Sequence, residues 1–166
     1  MLIKFDLIRA DSDCFRDLYF LKSQEHDVFW SGYLNKPDED DFKVWYDCQL
    51  KRNDRLIFLA RNISNKTELL GYLYINLFEK HIELSHGVNS DKQGLGVGTC
   101  IINFATNFCL STKNNLVVEA WIIEANVPSI RTFEKNGFRF TGRLKKSFQS
   151  SFEKEVILKN YKFESE

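Results

Sequence analysis

Apolar and polar residues alternate from Ile3 to Ile8, the period of two expected of a half-buried strand. Phe15, Leu18, Tyr19 and Lys22 then fall three or four apart, which predicts a helix from a cap at Ser12 to about Ser23. The cluster Val28-Phe29-Trp30, with Tyr33 after it, is expected in a loop. Lys36-Pro37-Asp38-Glu39-Asp40-Asp41 reads as a helix start, with an early proline and acids at the positive end of the dipole. Phe42, Trp45, Tyr46 and Gln49 continue that helix. Arg55–Arg61 and Leu69–Leu77 predict two strands around the polar turn Asn62–Thr67, and His81–Val88 a third after a tight connection at Phe78–Lys80. A glycine-rich segment follows, then a helix over Gly98–Leu110, a strand over Leu116–Ile123 and a short helix to Asn136. Phe138–Phe148 and Glu153–Tyr161 close the chain as a hairpin.

Three strands in short succession predict an antiparallel meander, and two later connections that each carry a helix predict at least one parallel crossover. The fold class is therefore α+β (mixed α/β). A mixed, mostly antiparallel sheet of six to seven strands is expected, with helices on both faces, in the order β-α-α-β-β-β-α-β-α-β-β. The 166 residues suit one domain over residues 1–166, able to bury roughly 70% of the surface its unfolded form exposes. Lys plus Arg and Asp plus Glu both number 23, and zero net charge argues against nucleic acid as the main partner. Aromatics at 14% favour a well-filled core. There is no apolar run of ~18 residues and the start alternates, so neither a membrane span nor a signal peptide is expected. Cys14, Cys48, Cys100 and Cys109 show no C-x-x-C spacing. They read as reduced, mostly buried thiols of a cytoplasmic protein. His26, His81 and His86 form no H-E-x-x-H cluster, so no metal is expected.

The chemistry concentrates in Gln93-Gly94-Leu95-Gly96-Val97-Gly98-Thr99, between a predicted strand and a predicted helix. Alternate glycines let backbone approach backbone or ligand, and the first turn of the helix offers unpaired N–H groups that, with the dipole, suit a phosphate. A Walker loop is excluded because no lysine follows Gly98. A dinucleotide fingerprint needs G-x-G-x-x-G with an acid roughly 20 residues on. Here the third glycine is misplaced, and Glu119 falls inside a predicted strand, not at its end. A glycine-rich turn with no ligand is the plain alternative. A second segment, Asn126 to Phe138, follows the strand Leu116–Ile123. Pro128 suits a first helical turn, Ile130 and Phe133 can share a face, and Gly137 followed by Phe138 suits a helix end.

Read as Q/R-x-x-G-x-G/A, Gln93, Gly96 and Gly98 match the acyl-CoA signature of the GNAT acetyltransferases, and Asn126 to Phe138 resembles that family's N-x-x-S, short helix, E-K-x-G-F. The two segments stand in the family's order and separation, and the resemblance is firm over residues 69–142. It implies the GNAT fold, acetyl-CoA as co-substrate, and two splayed parallel strands, here His81–Val88 and Leu116–Ile123, with the cofactor between them. It further implies that Gln93, Gly94, Gly96, Val97, Gly98 and Thr99 meet the pyrophosphate and that backbone near Val88 meets the acetyl carbonyl. Asn126 would hydrogen-bond the pantetheine arm or the splayed backbone, with Ser129 and Phe133 of the same segment also at the cofactor; a simple helix cap is the plain alternative for Asn126. Phe133 departs from the many members that carry a tyrosine there as an acid; either another hydroxyl serves (Ser129, Tyr72 and Tyr74 are in view) or the thiolate leaves unassisted, as a thiol that ionises near 8.5 allows.

Alternation places His81, Glu83 and Ser85 on one strand face and Ile82, Leu84 and His86 on the other. A carboxylate on a strand is costly to bury without purpose, which makes Glu83 the first candidate for general base and Glu119 the second, with a structural ion pair to Lys80 or an arginine as the alternative for Glu83. His86 is expected to be a neutral core histidine, with a general base as the alternative. Phe29, Trp30 and Tyr33 are candidates for the acceptor pocket, core packing being the alternative. Arg139, Arg143, Lys145 and Lys146 suit either phosphates or a solvated strand, and the acids from Asp38 to Asp41 either a polyamine or the dipole. The resemblance thus implies an N-acetyltransferase acting on a small-molecule amine, an amino sugar first. A protein N-terminal acetyltransferase of the ribosomal-protein type and a non-catalytic acyl-CoA-binding module stay open, and a homodimer through the last hairpin is implied at the family level.

Overall fold

The computed structural model describes residues 2–9, 14–112 and 116–164. Seven strands form one sheet in the order β1-β2-β3-β4-β5-β7-β6. β1 (Ile3–Leu7), β2 (Arg55–Asn62), β3 (Leu69–Leu77) and β4 (His81–Val88) are an antiparallel run. Side-chain turns explain the β2–β3 connection: Asn62 Oδ1 accepts from the Ser64 amide at 3.0 Å and Asn65 Oδ1 from that of Thr67 at 3.3 Å. β4 pairs in parallel with β5 (Val117–Ile123), and β7 (Lys154–Phe163) inserts between β5 and β6 (Phe138–Gln149).

Period-two alternation in the strands divides the core in two. Phe58 and Ala60 of β2 join Leu73, Ile75, Ile82 and Leu84 on the face covered by α4 (Val97–Thr112) and α5 (Val127–Glu134). Ile57 and Leu59 point to the other face, against α1 (Phe15–Lys22) and α3 (Glu39–Gln49). α4 presents Val97, Ile101, Ile102, Ala105 and Cys109 at helical spacing, all buried. Each large aliphatic among them contributes about 1.5–3 kcal/mol on burial. α3 starts where the acids predict it, with Asp38 Oδ1 accepting from the amides of Asp40 and Asp41, although Pro37 precedes the cap instead of entering the helix.

Two expectations change. Residues Glu25–Trp30, expected as loop, form a short helix, α2, whose one-sided burial of Asp27 and Val28 spans less than two turns. Only Cys14 and Cys109 are buried; Cys48 and Cys100 are exposed on the outer faces of their helices. The expected cap at Ser12 lies outside the described residues. No helix among the described residues is long and apolar enough to cross a membrane.

Candidate functional site

The parallel pairing of β4 with β5 lasts only three registers, His81 with Val117, Ile82 with Val118 and Glu83 with Glu119. Beyond Glu83 the strands part. Alternation fixes what β4 shows to the gap. Phe78 N–H donates to the His81 carbonyl and Asn89 N–H to the Leu70 carbonyl, at 2.9 Å each, so the odd-numbered residues of β4 bond to β3. The amides of His86 and Val88 therefore face the open seam, where among the described residues no acceptor meets them. The unpaired stretch, residues 84 to 88, is about 16 Å long at the usual strand rise. The Val88 carbonyl is held by His26 Nε2 at 2.8 Å.

At its upper end the seam meets the glycine loop. Gly94 and Gly96 have φ of +74° and +80°, which only glycine adopts freely. Among the described residues, none of the amides from Gly94 to Thr99 donates to a protein acceptor. The loop thus ends in a fan of free N–H groups at the start of α4, an anion cradle of backbone donors. Gly98 has another role: a Cβ there would stand 3.2 Å from His86 Nε2 and 3.4 Å from Thr132 Cγ2, so it lets α4 pack against β4 and α5.

A cleft of about 1360 Å³ joins seam and cradle. Of the candidates named from the sequence it gathers Glu83, Val88, Gln93, Gly94, Gly96, Val97, Gly98, Thr99, Asn126, Ser129, Phe133, Trp30 and Tyr33. Asn126 caps α5, its Oδ1 accepting from the Ser129 amide at 3.2 Å, which leaves its Nδ2 without a protein acceptor among the described residues. Phe29 is outside the cleft, packed on Phe152 with ring centroids 4.6 Å apart. Glu119 is also outside it, buried, with Arg143 Nη1 at 3.5 Å and His81 Nε2 at 3.7 Å. The basic residues of β6 do not reach the cleft either: Arg143 and Lys145 lie over the ring of Trp121.

Glu83 is the carboxylate that faces the fork. It is half-buried, lines the cleft, and among the described residues makes no salt bridge with Lys80 or any arginine, although the charge of Arg55, which lines the same cleft, acts on it. With His81 and Glu119 it forms a group whose ligand atoms lie within 4.8 Å of one another, an assembly of residues from two strands that sequence spacing could not show. On the opposite face of β4, burial lowers the His86 imidazole to about 4 against a weaker raising influence of Asp27, so the ring is neutral.

Sequence reasoning missed most of the cleft's aromatic half: Trp45 and Trp121 line it, together with Tyr72 and Tyr74, which the sequence offered only as hydroxyls. Burial pushes the Tyr74 phenol up, and its hydroxyl is buried with no hydrogen-bond partner among the described residues. Beside it Lys22 Nζ bonds Asp27 Oδ1 at 2.5 Å, Ser31 Oγ at 2.9 Å and Tyr72 OH at 2.9 Å, while Tyr72 donates to Asp27 Oδ2 at 2.6 Å. This network sits against Gly87, where a Cβ would stand 2.6 Å from Asp27 Oδ2. No sequence motif announces it; only the phase of Tyr72 and Tyr74 on β3 hints that they share a face with Glu83.

No curated protein matches the sequence. Among solved structures, spermidine N-acetyltransferase from Vibrio cholerae, in complex with CoA and spermine, superposes with a TM-score of 0.78 at 15% identity over 95% of this chain and 94% of that one. Aminoglycoside acetyltransferase AAC(6')-Ib, in complex with coenzyme A, gives 0.72 at 17% identity over 96% and 94%. Likeness at these identities is likeness of fold. The model of the acetyltransferase (GNAT) family matches residues 17–138, a span that takes in both the glycine loop and the Asn126–Phe138 segment. The chain belongs to the acetyltransferase (GNAT) family.

Proposed function

We propose that the protein transfers the acetyl group of acetyl-CoA to a primary amine of a small cationic molecule, with an amino-sugar derivative as the favoured acceptor. One observation carries this reading: a seam with the free amides of His86 and Val88 opens directly into a loop whose amides from Gly94 to Thr99 are also free. The diphosphate of CoA would rest on the loop, its pantetheine arm would add to β4 as an extra strand does to a sheet edge, and the thioester would reach the fork at Glu83. An amide of the open seam would then donate to the acetyl oxygen, where negative charge develops.

Glu83, through a water, takes the proton that the amine must lose. The amine end of the acceptor enters from the α1–α3 face. Trp30, Tyr33, Trp45 and Trp121 offer faces for a ring, and Asp38, Asp41 and Glu83 offer charge to ammonium groups. That pairing of aromatic faces with carboxylates favours an aminated sugar ring over a plain alkyl chain. The solved relatives add support, being described with spermine in one case and as an aminoglycoside acetyltransferase in the other.

The test is CoA release from acetyl-CoA with a panel of a hexosamine derivative, an aminoglycoside, spermine and a short peptide with a free α-amine. Turnover is expected with the aminated sugars. Turnover with the peptide alone would replace the acceptor by a protein N-terminus. Tight acetyl-CoA binding with no turnover on any amine would make the protein a binding module.

A further inference from the structure

Phe133 buries a ring without a hydroxyl beside the seam, and the side chain that meets it is His86, edge to face, with centroids 5.6 Å apart and planes at 65°. His86 follows the last β4 residue paired with β5 by three positions, lines the cleft, and has its own backbone amide turned into the seam. Its Nε2 lies against Gly98, in the first turn of the cradle helix. Among the described residues the imidazole makes no hydrogen bond, so its N–H donor is unused. A ring with a free donor, between the cradle and the fork, stands where the reacting end of an arm laid along β4 must pass.

We propose that the imidazole of His86 donates a hydrogen bond to the thioester sulfur as the carbon–sulfur bond breaks, supplying the polar contact that Phe133 cannot. The proposal rests on the acetyl-CoA reading above. The amine nitrogen forms the new bond to the acetyl carbon, and its surplus proton leaves through Glu83. The electron pair of the carbon–sulfur bond departs on sulfur as a thiolate. His86 keeps its proton and stabilises that thiolate, which takes a proton from water after release. Charge is consistent with this role. Asp27 is the charged group acting on His86, and it raises the ring only weakly against burial. Gly98 of α4 and Phe133 of α5, which meet the ring, carry no charge, and neither does Thr132, which shares the space at Gly98. The ring is therefore neutral, a donor through one nitrogen, and too weak an acid to give its proton to a thiolate whose thiol ionises near 8.5 in water.

The measurement is the ionisation of the CoA thiol itself, followed by the ultraviolet absorbance of the thiolate in the protein–CoA complex. Bound to the wild-type protein, the thiol is expected to ionise at least about one pH unit below its position in the complex with His86→Phe. His86→Asn, which keeps an N–H donor without a titrating ring, is expected between the two. A hydrogen bond to a charged group predicts a fall in kcat of about 10- to 100-fold in His86→Phe, with CoA affinity changed by less than about threefold. Adding Phe133→Tyr to His86→Phe should recover part of kcat. Equal thiol ionisation in wild type and His86→Phe, at equal CoA affinity, overturns the role of His86 alone. Failure of the wild-type protein to bind CoA overturns the acetyl-CoA reading and this proposal with it. If His86→Phe does not fold, the comparison of bound with free CoA in the wild type decides, since a thiol no more acidic in the complex than in solution refutes the donor.

Discussion

Substituting Gly96 tests the cradle most directly, because its cost to the free protein can be separated from its cost to the ligand. Gly96 has a φ of +80°, and a Cβ built on it meets nothing within 4 Å. Gly96→Ala therefore introduces backbone strain and no clash. A non-glycine residue in this region costs about 1–2 kcal/mol, and the stiffer unfolded chain returns about 0.4–1 kcal/mol. A net loss near 1 kcal/mol lowers Tm by about 2–4 °C in a domain of this size. Gly142 supplies a matched control: φ is +81°, its surroundings are equally open, and it lies in β6 away from the cleft. Gly142→Ala should lose the same stability. With a diphosphate on the loop the two variants diverge, since the Cβ of residue 96 would occupy ligand space. Gly96→Asp adds a carboxylate which, about 5 Å from a phosphate in an effective dielectric near 20, is repelled by about 3 kcal/mol per phosphate charge. That corresponds to more than about 100-fold in Kd. Calorimetric titration of CoA into the wild type, Gly96→Ala, Gly96→Asp and Gly142→Ala, with thermal melts of the same samples, reads both quantities. Wild-type affinity in Gly96→Asp, at a stability matching Gly142→Ala, would refute the placement of the diphosphate.

Glu83→Gln should lower kcat about 100- to 1000-fold at neutral pH while leaving CoA affinity intact, measured by steady-state kinetics and titration; a parallel loss of affinity would show that Glu83 holds the fork together instead of taking a proton. Lys22→Met leaves the carboxylate of Asp27 buried without its cation, the two side chains being only 14% and 5% exposed, and should cost about 3–5 kcal/mol, or roughly 10 °C in a thermal melt. His86 links stability to pH. Its folded value of about 4 lies below the ordinary 6.5, so the unfolded chain binds more protons between the two. The contribution is present above about 6.5, is lost as pH falls towards about 4, and is on the order of 3 kcal/mol. Denaturation midpoints across that window should fall more steeply for the wild type than for His86→Phe, and identical profiles would contradict a buried neutral ring.

The sheet is legible in the amino-acid sequence because its strands carry the plainest physics in the chain. His81–Val88 alternates, Leu69–Leu77 is apolar or aromatic on both faces, both are bounded by turns, and the structure places both at those limits. The cradle is legible for a related reason: backbone donors leave no side-chain mark, but the glycines that let the loop turn with positive φ do. The aromatic half of the cleft is not legible. α2 has too few residues to show a helical repeat, so Asp27 reads as a loop acid, although it is buried against a lysine from α1 and a tyrosine from β3. Trp121 and Glu119 share a face of β5, yet Trp121 lines the cleft and Glu119 is covered by His81 and Arg143. Alternation tells which face a residue takes, and not how far along the strand the cleft extends. Cys48 and Cys100 escape the usual burial of cysteine because helical phase turns both outward, and phase outweighs residue type there.

The brevity of the bond between β4 and β5 affects more than chemistry. With three registers joining them, the sheet divides into two leaves that meet over a narrow strip, β1 to β4 on one side and β5, β7 and β6 on the other. A molecule lying in the split is then mortar as well as reactant, and every turnover removes it. Amide hydrogen exchange in Ala120–Ile123 and along the free edge of β4 should slow together when the split is filled, so that the protein is most cooperative while loaded and loosest in the moment between product release and the next cofactor.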